Sequence, residues 1–540
     1  MDASRSLLLV KALALLVWGI TPASWIIVVL ALLRHALMTA GFTRTTHTIF
    51  SRSRLLEHLV TARRPLVIAF AEVIFSIYHH GRVKSIQAPV RRNRPSTDRI
   101  VTVFENVLRD GLGRNPKEQD EALNELIERY PDGTQMPKVK KPLEKDDPRA
   151  RKFRNTFGLW FFGLKEEHIT RADMREWISW ALCGRHANEI QDAESQSEAG
   201  RLAHLVETGL SLVEARRGER FPECSVLSST EQKDHRMMLI SLDPVRVESR
   251  PLVYYLLIKA MNVVLLQYLK IAYGVEVLKC GRIHYLYYNP PTWSRSEADA
   301  GKQSLPLVFI HGLGVGLLQY AWLLFKILGP ASKPYNRPFI APIQPWITHE
   351  LFSSEFLTPW DAIEASETIR AIVRRHDFTR INVLSHSKGT VAHAWIIKRL
   401  GDAVVRSCFV DPVCFELWAP HLCYRFLYKQ PETWIEYGLR YFVARELGIA
   451  YTLLRHFEWS ENVLLPNVEM PKANDPAATR FYIAGADSVF DAPHVRDYLQ
   501  RNGITKSVHF YEDQPHGALI MAPNPCTPNY ISWLDEYVAT

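Results

Sequence analysis

Apolar positions crowd the start of this chain. From Leu7 to Leu33 nearly every residue is hydrophobic, and the 22 residues from Ala12 to Leu33 carry no charge. A helix needs about 20 such residues to cross a bilayer. The segment therefore predicts a membrane-spanning N-terminal helix, with Trp18 and Trp25 as amphipathic aromatics and Pro22 as a kink. A hairpin turning at Gly19–Pro22, a cleaved signal peptide and an ordinary buried helix are the alternatives. The run is longer than a signal-peptide core, and no small-x-small cleavage site follows it. A second patch, Leu66 to Tyr78, contains Glu72 and is read as too short to span; it predicts packing on the core, with an interfacial position as the alternative.

Val83 to Asp98 is rich in Arg and Pro and reads as a linker. From Ile100 to Gly218 the apolar positions recur with helical period, interrupted by a Lys- and Pro-dense loop from Met136 to Lys152. Pro251 to Tyr273 is another apolar helix. Lys259, Asn262, Gln267 and Lys270 within it favour a packed or interfacial helix over a second span. After Cys280 the texture changes. GRIHYLYYNP, LPLVFIHG, NRPFIAPI, INVLSHS, VRSCFVDP and TRFYIAGAD read as short strands alternating with helices, which predicts an α/β domain with a largely parallel sheet. The resulting plan has four parts: an anchor over 1–40, an amphipathic segment and basic linker over 41–99, a helical accessory region over 100–275, and the α/β domain over 276–540 with a cap insertion at about 412–479.

At 540 residues the chain is too long for one small core, which fits that division. The net charge of +8 raises nucleic acid as a partner, but no zinc-finger spacing, helix-turn-helix pattern or aromatic RNA-binding motif accompanies it. The charge reads better as a topology signal. Arg5 and Lys11 precede the apolar run, whereas Arg34, Arg44, Arg52, Arg54, Arg63 and Arg64 follow it, which predicts a cytosolic body. The absence of any Asn-x-Ser/Thr acceptor agrees. The seven cysteines are odd in number and show no metal-ligand spacing, so they read as free thiols and no metal is expected.

Candidate chemistry lies in the α/β domain. In Ile381-Asn-Val-Leu-Ser-His-Ser-Lys-Gly-Thr390 a strand runs into Ser387 and then into a helix. Ser385 and Gly389 flank Ser387 at the two positions where a sharp strand-to-helix turn demands small residues. Glycine is usual where Ser385 stands, and some steric strain is expected there. Upstream, a buried strand ends in His311-Gly312 and a Gly-rich loop, whose amides can approach a developing oxyanion. The donors expected are the amides of Leu313 and Lys388. The loop lacks the Lys-Ser/Thr of a phosphate-binding loop. A serine nucleophile needs a base and the base an orienting acid. His516, in a Gly-containing loop near the C-terminus, is the base the chain order asks for; His509 reads as a strand residue. Asp487, 29 residues before His516, is the preferred acid. Asp411, after the preceding strand, and Asp491 are the alternatives.

Residues 281–540 resemble an α/β-hydrolase-fold serine hydrolase. The resemblance rests on His311-Gly312, Ser385-His-Ser-Lys-Gly389, Gly485-Ala-Asp487 and His516-Gly517. DPVCFELWAP, RHFEWSENVL and DSVFDAPHVRDYL further resemble a group of membrane-anchored, mostly fungal members. The resemblance implies a Ser–Asp–His triad without metal or organic cofactor, and a serine rather than an aspartate nucleophile argues against epoxide hydrolase or dehalogenase chemistry. Lys388 departs from the usual uncharged residue after the nucleophile. The expected activity is hydrolysis of a lipid or other apolar ester beside a membrane. Acyl transfer by the same triad, and a catalytically silent scaffold that binds partners, are the competing readings. The cap insertion holds twelve aromatic residues between Phe415 and Trp459, which suits either an apolar acyl chain or ordinary packing.

Overall fold

A computed structural model describes residues 3–90, 95–130, 135–190, 198–224, 236–330, 336–527 and 529–536. Residues 91–94 of the expected linker lie outside the described part.

The apolar run forms one continuous helix, α1 (Ala3–Thr39), which passes through Pro22 without turning back. Leu66 to Tyr78 lies inside a longer helix, α2 (Arg63–Ser85). At 23 residues α2 is long and apolar enough to cross a membrane, as are α1 and α3 (Leu252–Tyr273). The expectation that Leu66 to Tyr78 is too short to span is therefore corrected: the polar run after Tyr78 continues the helix instead of ending it. Core packing describes one face of α2, where Ala69, Val73 and Phe75 are buried; Val67, Ile68, Ile74 and Ile77 are exposed.

Polar residues inside these helices join them to one another. Thr21 Oγ1 of α1 donates to Glu72 Oε1 of α2 at 2.6 Å, and Glu72 Oε2 accepts from Leu252 N at the start of α3. A carboxylate in an apolar helix thus satisfies an otherwise orphaned amide at a helix N-terminus. Asn262 of α3 donates to Val315 O at 2.8 Å and accepts from Leu318 N, which ties α3 to the Gly-rich loop. Leu265 and Leu269 of α3 enter the core beneath the sheet, while Leu257, Val264 and Ile271 face outward.

Eight strands form the main sheet: β1 (Glu276–Cys280), β2 (Ile283–Tyr288), β3 (Leu307–Ile310), β4 (Phe339–Pro342), β5 (Ile381–His386), β6 (Val404–Val410), β7 (Thr479–Ala484) and β8 (Val508–Tyr511). Their order is β8-β7-β6-β5-β3-β4-β2-β1. β2 is antiparallel to both of its neighbours and all other pairs are parallel. Successive residues of β3 point to opposite faces. Val308 and Ile310 join one hydrophobic core, Leu307 and Phe309 the other. With both faces covered, β3, β4 and β5 are buried throughout, which explains the unbroken apolar runs of β3 and β4; β5 also buries Asn382, Ser385 and His386. This topology, with helices on both faces and a helical cap after β6, is an α/β-hydrolase fold.

The accessory helices between Thr97 and Arg217 share the larger core with the sheet and cap. Trp160 Nε1 donates to Trp418 O of the cap, and the cap's Trp459 Nε1 donates to Ala181 O. Arg99 donates to Ser460 O and Val463 O and pairs with Glu469. The helical region therefore buttresses the cap from outside.

Candidate active site

The parallel strands end together, and the expected site residues follow their C-terminal ends, where this class of sheet forms its crevice. Ser387 sits between β5 and α4 (Gly389–Leu400) with φ of +51°, a left-handed conformation that costs a non-glycine residue about 1–2 kcal/mol. The turn is held by Ser387 N donating to Val410 O and by Thr390, whose N and Oγ1 both donate to Ser387 O. Gly389 is required by contact: a Cβ there would lie 2.3 Å from Ile310 O and 2.7 Å from His311 O. Gly389→Ala is expected to destabilise the fold by about 2–3 kcal/mol, read as a lower urea midpoint at unchanged slope. An unchanged midpoint would mean that α4 can back away from β3.

Ser385 does not need glycine because its hydroxyl has a partner. It lies 2.8 Å from His393 Nδ1, while His393 Nε2 meets Ser407 Oγ and the ring stacks on Phe409. Burial holds the His393 pKa down at about 3, so the ring is neutral and both nitrogens are occupied. The strain expected at Ser385 does not show in its backbone, which is regular strand, and its buried hydroxyl is satisfied by His393.

His516 Nε2 lies 2.9 Å from Ser387 Oγ, and Nδ1 lies 2.5 Å from Asp487 Oδ2. Asp487 is held in turn by Val489 N and Phe490 N, which donate to Oδ1. Burial alone would lower the His516 pKa, but the charge and hydrogen bond of Asp487, with the charge of Asp411, hold it up at about 9. Asp411 is off this line: its oxygens accept from Ala484 N at 2.9 Å and Gly517 N at 2.7 Å. Asp491 caps the helix that begins at Ala492 and pairs with Arg425. His509 stacks on Tyr482 within the sheet. Three ligand-type atoms, from Asp411, Asp487 and His516, lie within 4.8 Å of one another. Hydrogen bonds to Ser387 and to backbone amides already occupy these groups, a set of partners suited to proton transfer.

Leu313 and Lys388 line the same cavity as Ser387 and His516. His311 and Gly312 brace it from behind. His311 Nε2 accepts from Gln344 N, and burial holds its pKa down at about 4. Gly312 N donates to Tyr320 Oη, and a Cβ on Gly312 would meet Ser387 Cβ at 3.0 Å. Tyr320 Oη also lies 2.7 Å from His386 Nδ1. Sequence reasoning missed Tyr320, His386 and His393, and no local spacing marks them. The cavity has a volume of about 150 Å³, and its cap side is largely aliphatic: Leu422, Leu427, Leu439, Val443 and Leu453 join Phe426 and Phe457.

No protein-family model matches the sequence, and no curated protein matches it. Solved structures do match. A bacterial membrane phospholipase A shares 15% identity over 52% of this chain and 96% of its own, with a TM-score of 0.35. A putative lipase from Acinetobacter baumannii shares 13% identity over 51% and 95%, with a TM-score of 0.34. A carboxylesterase from Bacillus subtilis shares 10% identity over 51% and 98%, with a TM-score of 0.33. At such identities the likeness is one of fold alone.

Proposed function

We propose that this protein is a serine hydrolase that cleaves a carboxylic ester with an apolar acyl group through an acyl-enzyme. The observation that carries this reading is the unbroken chain from Ser387 Oγ through the His516 ring to Asp487, at the wall of an apolar cavity. Ser387 Oγ attacks the acyl carbon as His516 Nε2 takes its proton, and the oxyanion rests against the amides of Leu313 and Lys388. His516 then protonates the departing alkoxide. Water attacks the acyl-enzyme, gives its proton to His516, and the acid leaves as Ser387 regains its hydrogen. Asp487 stays ionised throughout and keeps Nδ1 protonated.

A fluorophosphonate probe tests the reading. The native protein is expected to label covalently, and heat-unfolded protein is not; failure of well-folded protein to label would overturn the assignment. The labelling rate should climb between pH 7 and 9. Ser387 needs a neutral His516, and the imidazolium persists up to about 9, above the ordinary histidine value of 6.5. The same preference stabilises the fold fully below pH 6.5 and is lost as pH rises through about 9, so reactivity and stability run in opposite directions across that window.

We propose further that the outward apolar faces of α1, α2 and α3 seat the protein on a membrane. α1 runs along the body instead of leaving it. Near its start, Lys11 Nζ lies 5.7 Å from the ring centroid of Tyr437 on cap helix α5 (Trp434–Leu439), and Val10 packs beside Gly438. Further along, Trp25 Nε1 donates to Ser76 Oγ of α2. A helix bound to the body over this length favours insertion into one leaflet over a single pass that separates its two ends. The arginines between Arg34 and Arg64 suit the anionic headgroups of a cytosolic leaflet. In sealed microsomes, protease added outside is expected to remove an N-terminal epitope together with the body. An epitope protected while the body is digested would restore the single pass.

A further inference from the structure

Asp411 is buried, ionisable and unused by the reaction outlined above. It follows β6 directly, with φ of +47°, a left-handed conformation like that of Ser387. This turn aims its carboxylate across the ends of the neighbouring strands. Oδ1 accepts from Ala484 N, at the end of β7 and three residues before Asp487. Oδ2 accepts from Gly517 N, the residue after His516. His386 Nε2, one residue before Ser387, lies 3.7 Å from Oδ2. One side chain therefore meets the immediate surroundings of the nucleophile, the acid and the base.

We propose that Asp411 is a positioning residue: its carboxylate fixes the acid turn and the base loop relative to each other and holds a negative charge beside His516. This rests on the reading of Ser387, His516 and Asp487 given above. Both groups that donate to Asp411 are backbone amides, so both of its oxygens must be acceptors. A carboxylate meets that demand, whereas an asparagine would set an N–H₂ against one of the amides. The charge itself matters as well. An oxygen of Asp411 and an oxygen of Asp487 lie within 4.8 Å of each other and of a His516 ring nitrogen. When His516 takes the Ser387 proton, the imidazolium forms between two carboxylates instead of beside one. The titratable groups facing His516 are Asp487, Asp411 and His386, whose ring centroid is 5.2 Å away, with Lys388 lining the same cavity. Burial disfavours ionisation of Asp411, but the His386 ring, the His516 charge and the Gly517 amide outweigh it and keep its pKa below the usual carboxylate range.

The test is Asp411→Asn, assayed with a p-nitrophenyl ester across pH. The expected result is a fall in kcat of about 10- to 100-fold with KM within about twofold, and a His516 limb moved to lower pH. An unchanged kcat and an unmoved limb would overturn the proposal. So would a loss of activity that merely follows a loss of folded protein with the limb in place, since a simple turn brace predicts that. If Asp411→Asn does not fold, Asp411→Glu carries the test: the charge is kept but the longer side chain displaces it from the amides of Ala484 and Gly517, so kcat should fall while the His516 limb stays close to its wild-type pH; an unchanged kcat would overturn the proposal. Absence of probe labelling in the wild type would instead defeat the underlying hydrolase reading.

Discussion

Ser387→Ala is expected to abolish fluorophosphonate labelling and to cut ester turnover by on the order of 10⁴- to 10⁶-fold. That is about 5–8 kcal/mol of transition-state stabilisation, far more than one lost hydrogen bond is worth. The size follows from the unit the three residues form. Without Oγ, the His516 base has no proton to take and the amides of Leu313 and Lys388 have no tetrahedral oxyanion to hold. The fold should survive. Alanine tolerates φ of +51° about as well as serine does, and the elbow is held by backbone bonds to Val410 O and by Thr390, which the substitution leaves intact. Thermal melting should therefore stay within about 1 kcal/mol of wild type. Turnover above a few per cent of wild type in a clean preparation would remove Ser387 from the role of nucleophile.

The elbow was legible in the sequence because its constraint is local and steric. A residue two positions after Ser387 collides with Ile310 O unless it is glycine, and such a demand leaves a mark at fixed spacing. His516 and Asp487 were legible through chain order and loop length. Tyr320, His386 and His393 were not, because their bonds follow no fixed motif: Tyr320 and His386 are 66 positions apart, and His393 reaches from α4 back to Ser385 across the turn. The cap shows a different limit. Its aromatic richness suited either an acyl cavity or ordinary packing, and both occur: Phe426 and Phe457 line the cavity, while Phe415 packs on Phe481 and Trp418 on Tyr498. Composition carries no direction, and the cap helices wind as π-helical turns at Tyr424–Tyr428 and Arg440–Ala444, which shift side chains out of the regular helical phase. The apolar N-terminus was legible as a helix long and apolar enough to cross a membrane, but its packing was not. The bonds from Thr21 to Glu72 and from Trp25 to Ser76 join distant segments that carry no shared motif.

Asp487→Asn is expected to lower kcat by about 10⁴-fold while leaving the fold in place. Asparagine has the shape to keep Oδ1 as acceptor for Val489 N and Phe490 N, so the acid turn need not move. Its amide then presents a donor to His516 Nδ1. That nitrogen must become an acceptor, the ring proton shifts to Nε2, and Nε2 can no longer take the Ser387 proton. The charge that favours the imidazolium is lost in the same step. Both consequences act on the transition state and neither touches the cavity, so KM should change little beside kcat. The contrast with Asp411→Asn carries the assignment. Asp411 lies beside His516, but the hydrogen bond at Nδ1 is made by Asp487, so substitution of Asp411 removes charge and alignment but leaves the tautomer under the control of Asp487. Its effect should be smaller by about two orders of magnitude. Should Asp411→Asn prove the more damaging of the two folded variants, the orienting acid is Asp411, and the 2.5 Å contact between Asp487 and His516 serves to hold the loop.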